Sequence, residues 1–267
     1  MSKGKDGRGT NMVSIGIDIG SVCAKAVAYD GGTVDRLMMP TGWNPRETGA
    51  ELYKRLVSGS GIKEEDIAAV VATGYGRVSV PFSTRKVTEI TCHARGAAFL
   101  DPEARTVIDV GGQDSKVISI DDKGNVLEFM MNDKCAAGTG RFLQVMANVL
   151  ETEVDQLESL ASDSIPRDIN SMCAVFAESE VISLLAQGTA KEAVASGILH
   201  SISNKIMHLT SRVTIKDKVL FTGGVSANGM IGDILSRKLK CSVATHKDSQ
   251  FAGAIGAAII GYEKCAL

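Results

Sequence analysis

Ile17-Asp18-Ile19-Gly20-Ser21-Val22-Cys23-Ala24-Lys25-Ala26-Val27 and Ile108-Asp109-Val110-Gly111-Gly112-Gln113-Asp114-Ser115-Lys116-Val117-Ile118 read as one unit used twice. Ile, Asp, Gly and Lys coincide, and three further positions agree in apolar character. Each copy is a β-branched strand, a glycine turn and a return strand. The copies lie too far apart for a solenoid. The pattern predicts two related lobes, each offering one glycine hairpin.

Working outward, Val13 to Ile19 completes the first strand, and Gly31-Gly32 marks a turn. Asn44-Pro45-Arg46-Glu47 has a helix-cap residue, a proline at the first helical position and a glutamate three on, so a helix is expected to about Val57. Ile67 to Thr73 is an apolar run that feeds Gly74-Tyr75-Gly76, and Val87 to Phe99 has helical spacing. The second half reads as mostly helical, over 139–151, 174–187 and 190–213. Then come a strand (Val219 to Thr222), Gly223-Gly224, a helix from about Asn228 to Lys238, a short strand and a last helix from about Gln250. Strands alternating with helices predict an α/β protein.

Composition narrows the function. In 267 residues, 44% hydrophobic and 22% charged, disorder is excluded as the dominant state. A formal net charge of -2 does not force a basic, phosphate-neutralising surface, so nucleic acid is not the expected partner. No stretch approaches the roughly 20 apolar residues of a membrane span. Met1 to Asn11 is polar and lacks a signal-peptide core, and residues 1–12 are expected to form a flexible tail. A cytoplasmic location follows, where six cysteines are free, metal-bound or redox-active rather than paired.

An Asp-x-Gly hairpin can do phosphate chemistry. Glycine brings backbone N–H groups close to a phosphate with no Cβ in the way. An Asp at the end of the preceding strand can hold Mg²⁺ through water. Asp18, Gly20, Ser21 and Lys25 form one such set, and Asp109, Gly111 and Gly112 the other. A single copy reads equally well as a plain turn. Two matched copies, with a third glycine turn at Gly223-Gly224, argue for nucleotide binding. Neither a P-loop nor a clean GxGxxG is present.

The three glycine turns resemble the two phosphate motifs and the adenosine motif of the actin, Hsp70 and sugar-kinase ATPase superfamily. Four longer blocks narrow the likeness: 72–77, 110–114, Asn132-Asp133-Lys134-Cys135-Ala136-Ala137-Gly138-Thr139-Gly140-Arg141-Phe142 and Val175-Phe176-Ala177-Glu178-Ser179-Glu180-Val181-Ile182-Ser183. These resemble the activator component of 2-hydroxyacyl-CoA dehydratases, the family related to the ATPase subunits of benzoyl-CoA reductase. From Val13 onward the resemblance covers nearly the whole chain. It implies an actin-like, ribonuclease H-like fold of duplicated lobes with a nucleotide cleft between them. Lobe I would be 13–100 plus about 250–267, and lobe II 101–249, carrying the cluster ligands and the adenosine motif. It implies an anaerobic ATPase that is a homodimer, holds ATP/ADP, Mg²⁺ and one [4Fe-4S] cluster per dimer, and donates electrons to an iron–sulfur dehydratase-like acceptor. The donor would be a reduced ferredoxin or flavodoxin.

Cys135 and Cys173 stand before two helices, expected to start near Gly138 and at Ala174. A thiolate there faces the positive end of a helix dipole and suits an anionic cluster. Two cysteines cannot fill four thiolate positions, but a twofold dimer supplies four. Taken without their flanking blocks, the same two read as inert small hydrophobes. Cys23, Cys92, Cys241, Cys265 and the four histidines show no metal-site spacing. In the resulting picture Ser21, Gly111 and Gly112 hold phosphates. Asp18 and Asp109 hold Mg²⁺ through water. Gln113 or Asp114 positions the attacking water, and Gly223 and Gly224 approach the adenosine. Gly138, Thr139 and Gly140 adjoin both the nucleotide and Cys135 and so couple the two. Gly74-Tyr75-Gly76-Arg77 is a contact loop by resemblance, or a structural turn. The alternatives are a sugar or N-acetylhexosamine kinase on the same scaffold, and a nucleotide-driven interaction switch without redox chemistry.

Overall fold

A computed structural model describes residues 12–171, 173–216 and 218–265. The expected tail lies outside the described residues except for Met12, which is buried. In chain order the strands and helices are β1 (Val13–Ile19), β2 (Cys23–Tyr29), β3 (Thr33–Pro40), α1 (Pro45–Ser60), β4 (Ile67–Thr73), β5 (Arg85–Lys86), α2 (Glu89–Leu100), β6 (Thr106–Val110), β7 (Ser115–Ile120), β8 (Val126–Asn132), α3 (Gly140–Val149), α4 (Leu157–Ala161), α5 (Ala174–Ala186), α6 (Lys191–Thr210), β9 (Val219–Thr222), α7 (Gly229–Leu239), β10 (Val243–Thr245) and α8 (Ala252–Cys265).

The chain divides into two units. The first comprises residues up to 104, 120–127 and from 247, and the second 105–119 and 128–246. Each holds a five-stranded sheet, ordered β3-β2-β1-β4-β5 in the first and β8-β7-β6-β9-β10 in the second. The two orders are the same when each unit's strands are counted from its own first strand. β1 pairs antiparallel with β2 and parallel with β4, and β6 pairs antiparallel with β7 and parallel with β9. The repeat seen in the sequence is therefore a repeat of topology.

In the first unit the alternation of β2 assigns the two faces of the sheet. Ala24, Ala26 and Ala28 join Ile15, Ile17 and Ile19 under Leu52 and Leu56 of α1. Val27 and Tyr29 point the other way, onto Ala254, Ile255, Ala258 and Ile259 of α8. Helix α1 is built as expected: Asn44 Oδ1 accepts from the Glu47 N–H at 3.4 Å, Pro45 opens the helix, and Gly61 ends it in a left-handed conformation. Helices α2 and α8 cross in close contact, because a Cβ at Gly256 would collide with the Cys92 carbonyl oxygen. Gly256→Ala is expected to cost about 1–3 kcal/mol, the usual penalty of overpacking, read as a fall of several degrees in the thermal midpoint.

The second unit's core runs from Ile108, Val110 and Val117 through Phe142, Leu143 and Met146 of α3 to Ile198, Leu199 and Ile202 of α6. Strands β3 and β8 lie outside the sequence expectation. β3 alternates in burial along its whole length. β8 is an edge strand whose Leu127 and Phe129 are half exposed, so its apolar residues follow no period that a one-faced strand would show. Among the described residues no helix is long and apolar enough to cross a membrane.

Candidate functional site

The two Asp–glycine turns are built alike down to single residues. In the first unit Asp18 pairs in register with Lys25 on β2 and with Thr73 on β4. In the second, Asp109 pairs with Lys116 on β7 and with Thr222 on β9. Both aspartates are nearly fully buried. A glycine follows each threonine, Gly74 at φ +84° and Gly223 at φ +85°. A Cβ at Gly74 would collide with Asp18 Oδ1, and one at Gly223 with the Val110 carbonyl oxygen, so positive φ and lack of space both demand glycine. Gly74 thus holds in the first unit the place that Gly223 holds in the second. The Thr–Gly pair ending each apolar strand was the signal available for this equivalence.

The electrostatics of the two turns differ. Asp18 Oδ2 lies 4.0 Å from Lys25 Nζ, whereas Asp109 Oδ2 lies 3.1 Å from Lys116 Nζ. Lys116 also reaches Asp114 Oδ2 at 2.9 Å, and the Thr222 hydroxyl donates to Asp109 Oδ1 at 2.9 Å. Lys116 is 2% exposed, so one buried ammonium serves two carboxylates. The residue aligned with Asp114 in the first copy is Cys23, so this bridge belongs to the second unit alone. Alignment with Lys25 was the available pointer to Lys116. Of the two residues expected to handle water, Asp114 is engaged by Lys116, while Gln113 is exposed at the turn.

The same turn is fastened to the segment that carries Cys135. The Gly140 N–H donates to the Gly111 carbonyl at 2.8 Å and the Arg141 N–H to the Gly112 carbonyl at 2.8 Å. The Ser115 hydroxyl donates to the Gly138 carbonyl. Thr139 closes a tight turn, with its N–H at 3.1 Å and its hydroxyl at 2.8 Å from the Ala136 carbonyl. The structure thus brings Asp109, Gly111, Gly112, Gly138, Thr139, Gly140 and Gly223 together in the second unit. Asp18, Gly20, Ser21 and Lys25 stand together in the first. Gly224 borders open space.

Cys135 and Cys173 are both exposed free thiols in the second unit. Cys173 is the N-cap residue of α5. Cys135 is not at a helix start: α3 begins at Gly140, with the 136–139 turn interposed, so the dipole argument applies to Cys173 and fails for Cys135. Val175 and Phe176 in the first turn of α5, directly after Cys173, and Ile182 further along it are exposed apolar side chains. Asn170 and Ser171, just before Cys173, donate to the Glu180 carboxylate. Partial burial of Glu180 would raise its pKa, but these hydrogen bonds outweigh it and hold the carboxyl below its ordinary range. Cys92 is a core residue whose thiol burial pushes up to about 12. Among the described residues no group of three or more His, Cys, Asp or Glu is set to hold a metal ion.

Known proteins place this arrangement. The activator of lactoyl-CoA dehydratase of Anaerotignum propionicum is 42% identical over 259 residues, covering 94% of this chain and 98% of its own. One of the benzoyl-CoA reductase subunits of Thauera aromatica is 34% identical over 262 residues, covering 93% of each. The solved component A of (R)-2-hydroxyglutaryl-CoA dehydratase from Acidaminococcus fermentans superposes with a TM-score of 0.92 at 41% identity, over 96% of this chain and 100% of that one. The activator of 2-hydroxyisocaproyl-CoA dehydratase from Clostridium difficile, solved with ADPNP, superposes at 0.89 with 39% identity, over 95% and 96%. A glucokinase of the ROK family from Streptomyces griseus, at 14% identity and a TM-score of 0.57, shares the actin-like fold alone. Residues 15–261 match the BadF/BadG/BcrA/BcrD ATPase family. A match through nearly the whole chain, on the same fold as two solved relatives, makes this protein a member of the BadF/BadG/BcrA/BcrD ATPase family.

Proposed function

We propose that this ATPase is an ATP-driven one-electron donor to an iron–sulfur partner of the 2-hydroxyacyl-CoA dehydratase kind. It would work in the anaerobic cytoplasm as a homodimer, recharged by a reduced ferredoxin or flavodoxin. The observation that carries the reading is the hydrogen-bonded frame of the second unit. It ties the Gly111–Gly112 turn to Gly140 and Arg141, and Ser115 to Gly138, directly behind Cys135. A change at the phosphate turn has a short, stiff backbone route to a thiol that a plain kinase would not use.

The residues fit a [4Fe-4S] cluster shared between two copies. Of three exposed free thiols Cys265 belongs to the first unit, so the second unit offers two, Cys135 and Cys173, and its described residues offer no fuller ligand set; four thiolates there require a second chain. The apolar side chains of α5 beside Cys173 suit a surface covered in the dimer. When bound, the cluster supplies the one-electron couple.

The chain's own residues would handle the nucleotide. Asp18 and Asp109 hold Mg²⁺ through its water shell. Gly20, Ser21, Lys25, Gly111 and Gly112 meet the phosphates, and Gly223 and Gly224 the adenosine. Gln113 orients the attacking water, because Asp114 is engaged by Lys116. Such hydrolysis needs chiefly orientation and charge neutralisation. Gly138, Thr139 and Gly140 pass a shift at the phosphate turn to the Cys135 arm.

Anaerobic protein charged by a reduced ferredoxin or flavodoxin and then mixed with a dehydratase is expected to reduce it with ATP and not with ADPNP. ADP production that depends on glucose or N-acetylglucosamine, with phosphorylated sugar as product, would replace this reading with the kinase one.

A further inference from the structure

The two candidate sulfur ligands project from exposed segments, and each segment has its own clamp. For Cys135 the clamp is Asn132. Its Oδ1 accepts from the Cys135 N–H at 3.2 Å, and its Nδ2 donates to the Cys135 carbonyl at 2.8 Å, so one side chain grips both backbone polar groups of that residue. For Cys173 the clamp is Glu180, in the second turn of α5. The segment before Cys173 is fastened at Arg167, whose N–H donates to the Ala193 carbonyl of α6 at 2.9 Å. Glu180 is the next anchor. Its carboxylate accepts from the N–H groups of Asn170 at 3.0 Å and Ser171 at 2.9 Å, from Asn170 Nδ2 at 3.4 Å and from the Ser171 hydroxyl at 2.5 Å. Hydrogen bonds to an ionised acceptor are roughly twice as strong as neutral ones.

Neither clamp bonds a core residue directly. Asn132 and Glu180 are half-buried, and Cys135 and Cys173 are exposed. Stiffening the backbone at Cys135, Asn170 and Ser171 adds no side chain of these residues to the core, whose nearest members in sequence are Ala137 and Ile169. It does set where two sulfur atoms can sit. We propose that Asn132 and Glu180 are positioning residues, each fixing the backbone from which one cluster-binding sulfur projects. This rests on the cluster reading above and extends it from the ligands to the groups that aim them. Outer partners of metal ligands commonly act this way.

The test uses Glu180→Ala and Asn132→Ala with the conservative Glu180→Gln and Asn132→Asp, in the full chain. In metal-free protein, amide exchange at 170 and 171 is expected to quicken in Glu180→Ala, and exchange at 135 in Asn132→Ala, with both variants still folded at the temperature of the experiment. After anaerobic reconstitution with iron and sulfide, loss of iron to a chelator should be about 10–100-fold faster in the alanine variants, matching the usual effect of removing an outer partner. The conservative variants should fall between, and the paramagnetic spectrum of the reduced cluster should shift. Unchanged exchange would show that the clamps do not exist in solution. Faster exchange with wild-type iron retention and a wild-type spectrum would show that they hold loops and not sulfur, which overturns the inference while the cluster stands. A wild-type chain that binds no iron removes the cluster reading, and the inference falls with it.

Discussion

Lys116→Met is expected to lower stability by about 3–5 kcal/mol, the cost of leaving a buried charge without its partner. Lys116 Nζ lies 3.1 Å from Asp109 Oδ2 and 2.9 Å from Asp114 Oδ2, and Lys116 and Asp109 are each 2% exposed. Methionine keeps much of the volume and removes the ammonium. Asp114→Asn should cost less, because Asp114 is 25% exposed and water can compensate. Lys25→Met should also cost less, since that pair is longer, at 4.0 Å, and more exposed. Urea unfolding of the three variants checks the order. If Asp109 handles Mg²⁺, MgADP should raise the midpoint of Lys116→Met more than that of wild type, because the cation returns the missing charge and binds only the folded state. A loss in Lys116→Met no larger than in Lys25→Met would show that the bridge is not the electrostatic centre of the turn.

Cys135→Ser and Cys173→Ser, singly, are each expected to bring iron per dimer from about four, the content of one [4Fe-4S] cluster, to near zero. Each single substitution removes two of four ligands, because the dimer repeats it. Both thiols are exposed, so the fold and basal ATP hydrolysis should survive. Cys92→Ser separates this from a general cysteine effect. It removes a fully buried thiol and should cost stability without changing iron content. Iron retained in either ligand variant would mean that the metal sits elsewhere.

Much of this could be read in the residues. Ile17–Val27 and Ile108–Ile118 carry the duplication, and the matching strand orders follow from it. Apolar runs flanked by glycine turns, most of them rich in β-branched residues, are local signals, so β1, β2, β4, β6, β7 and β9 were legible. The edge strands were less so: β8 is exposed along much of its length and has little pattern to show. Register was invisible, and register makes Lys116 a partner of Asp109 and Gly74 the counterpart of Gly223. The Ala136–Thr139 turn between Cys135 and α3 was hidden, because it depends on one hydroxyl and one N–H finding the same carbonyl. The Glu180 clamp was hidden for the same reason, since its partners lie nine and ten residues upstream and only the fold brings them back.

Native mass spectrometry on protein made and kept without oxygen, with iron and acid-labile sulfide determined on the same sample, tests the account most directly. The account predicts a dimer carrying about four irons and four sulfides, the content of a single shared [4Fe-4S] cluster. A chain that stays monomeric, or a dimer free of iron under those conditions, would contradict it.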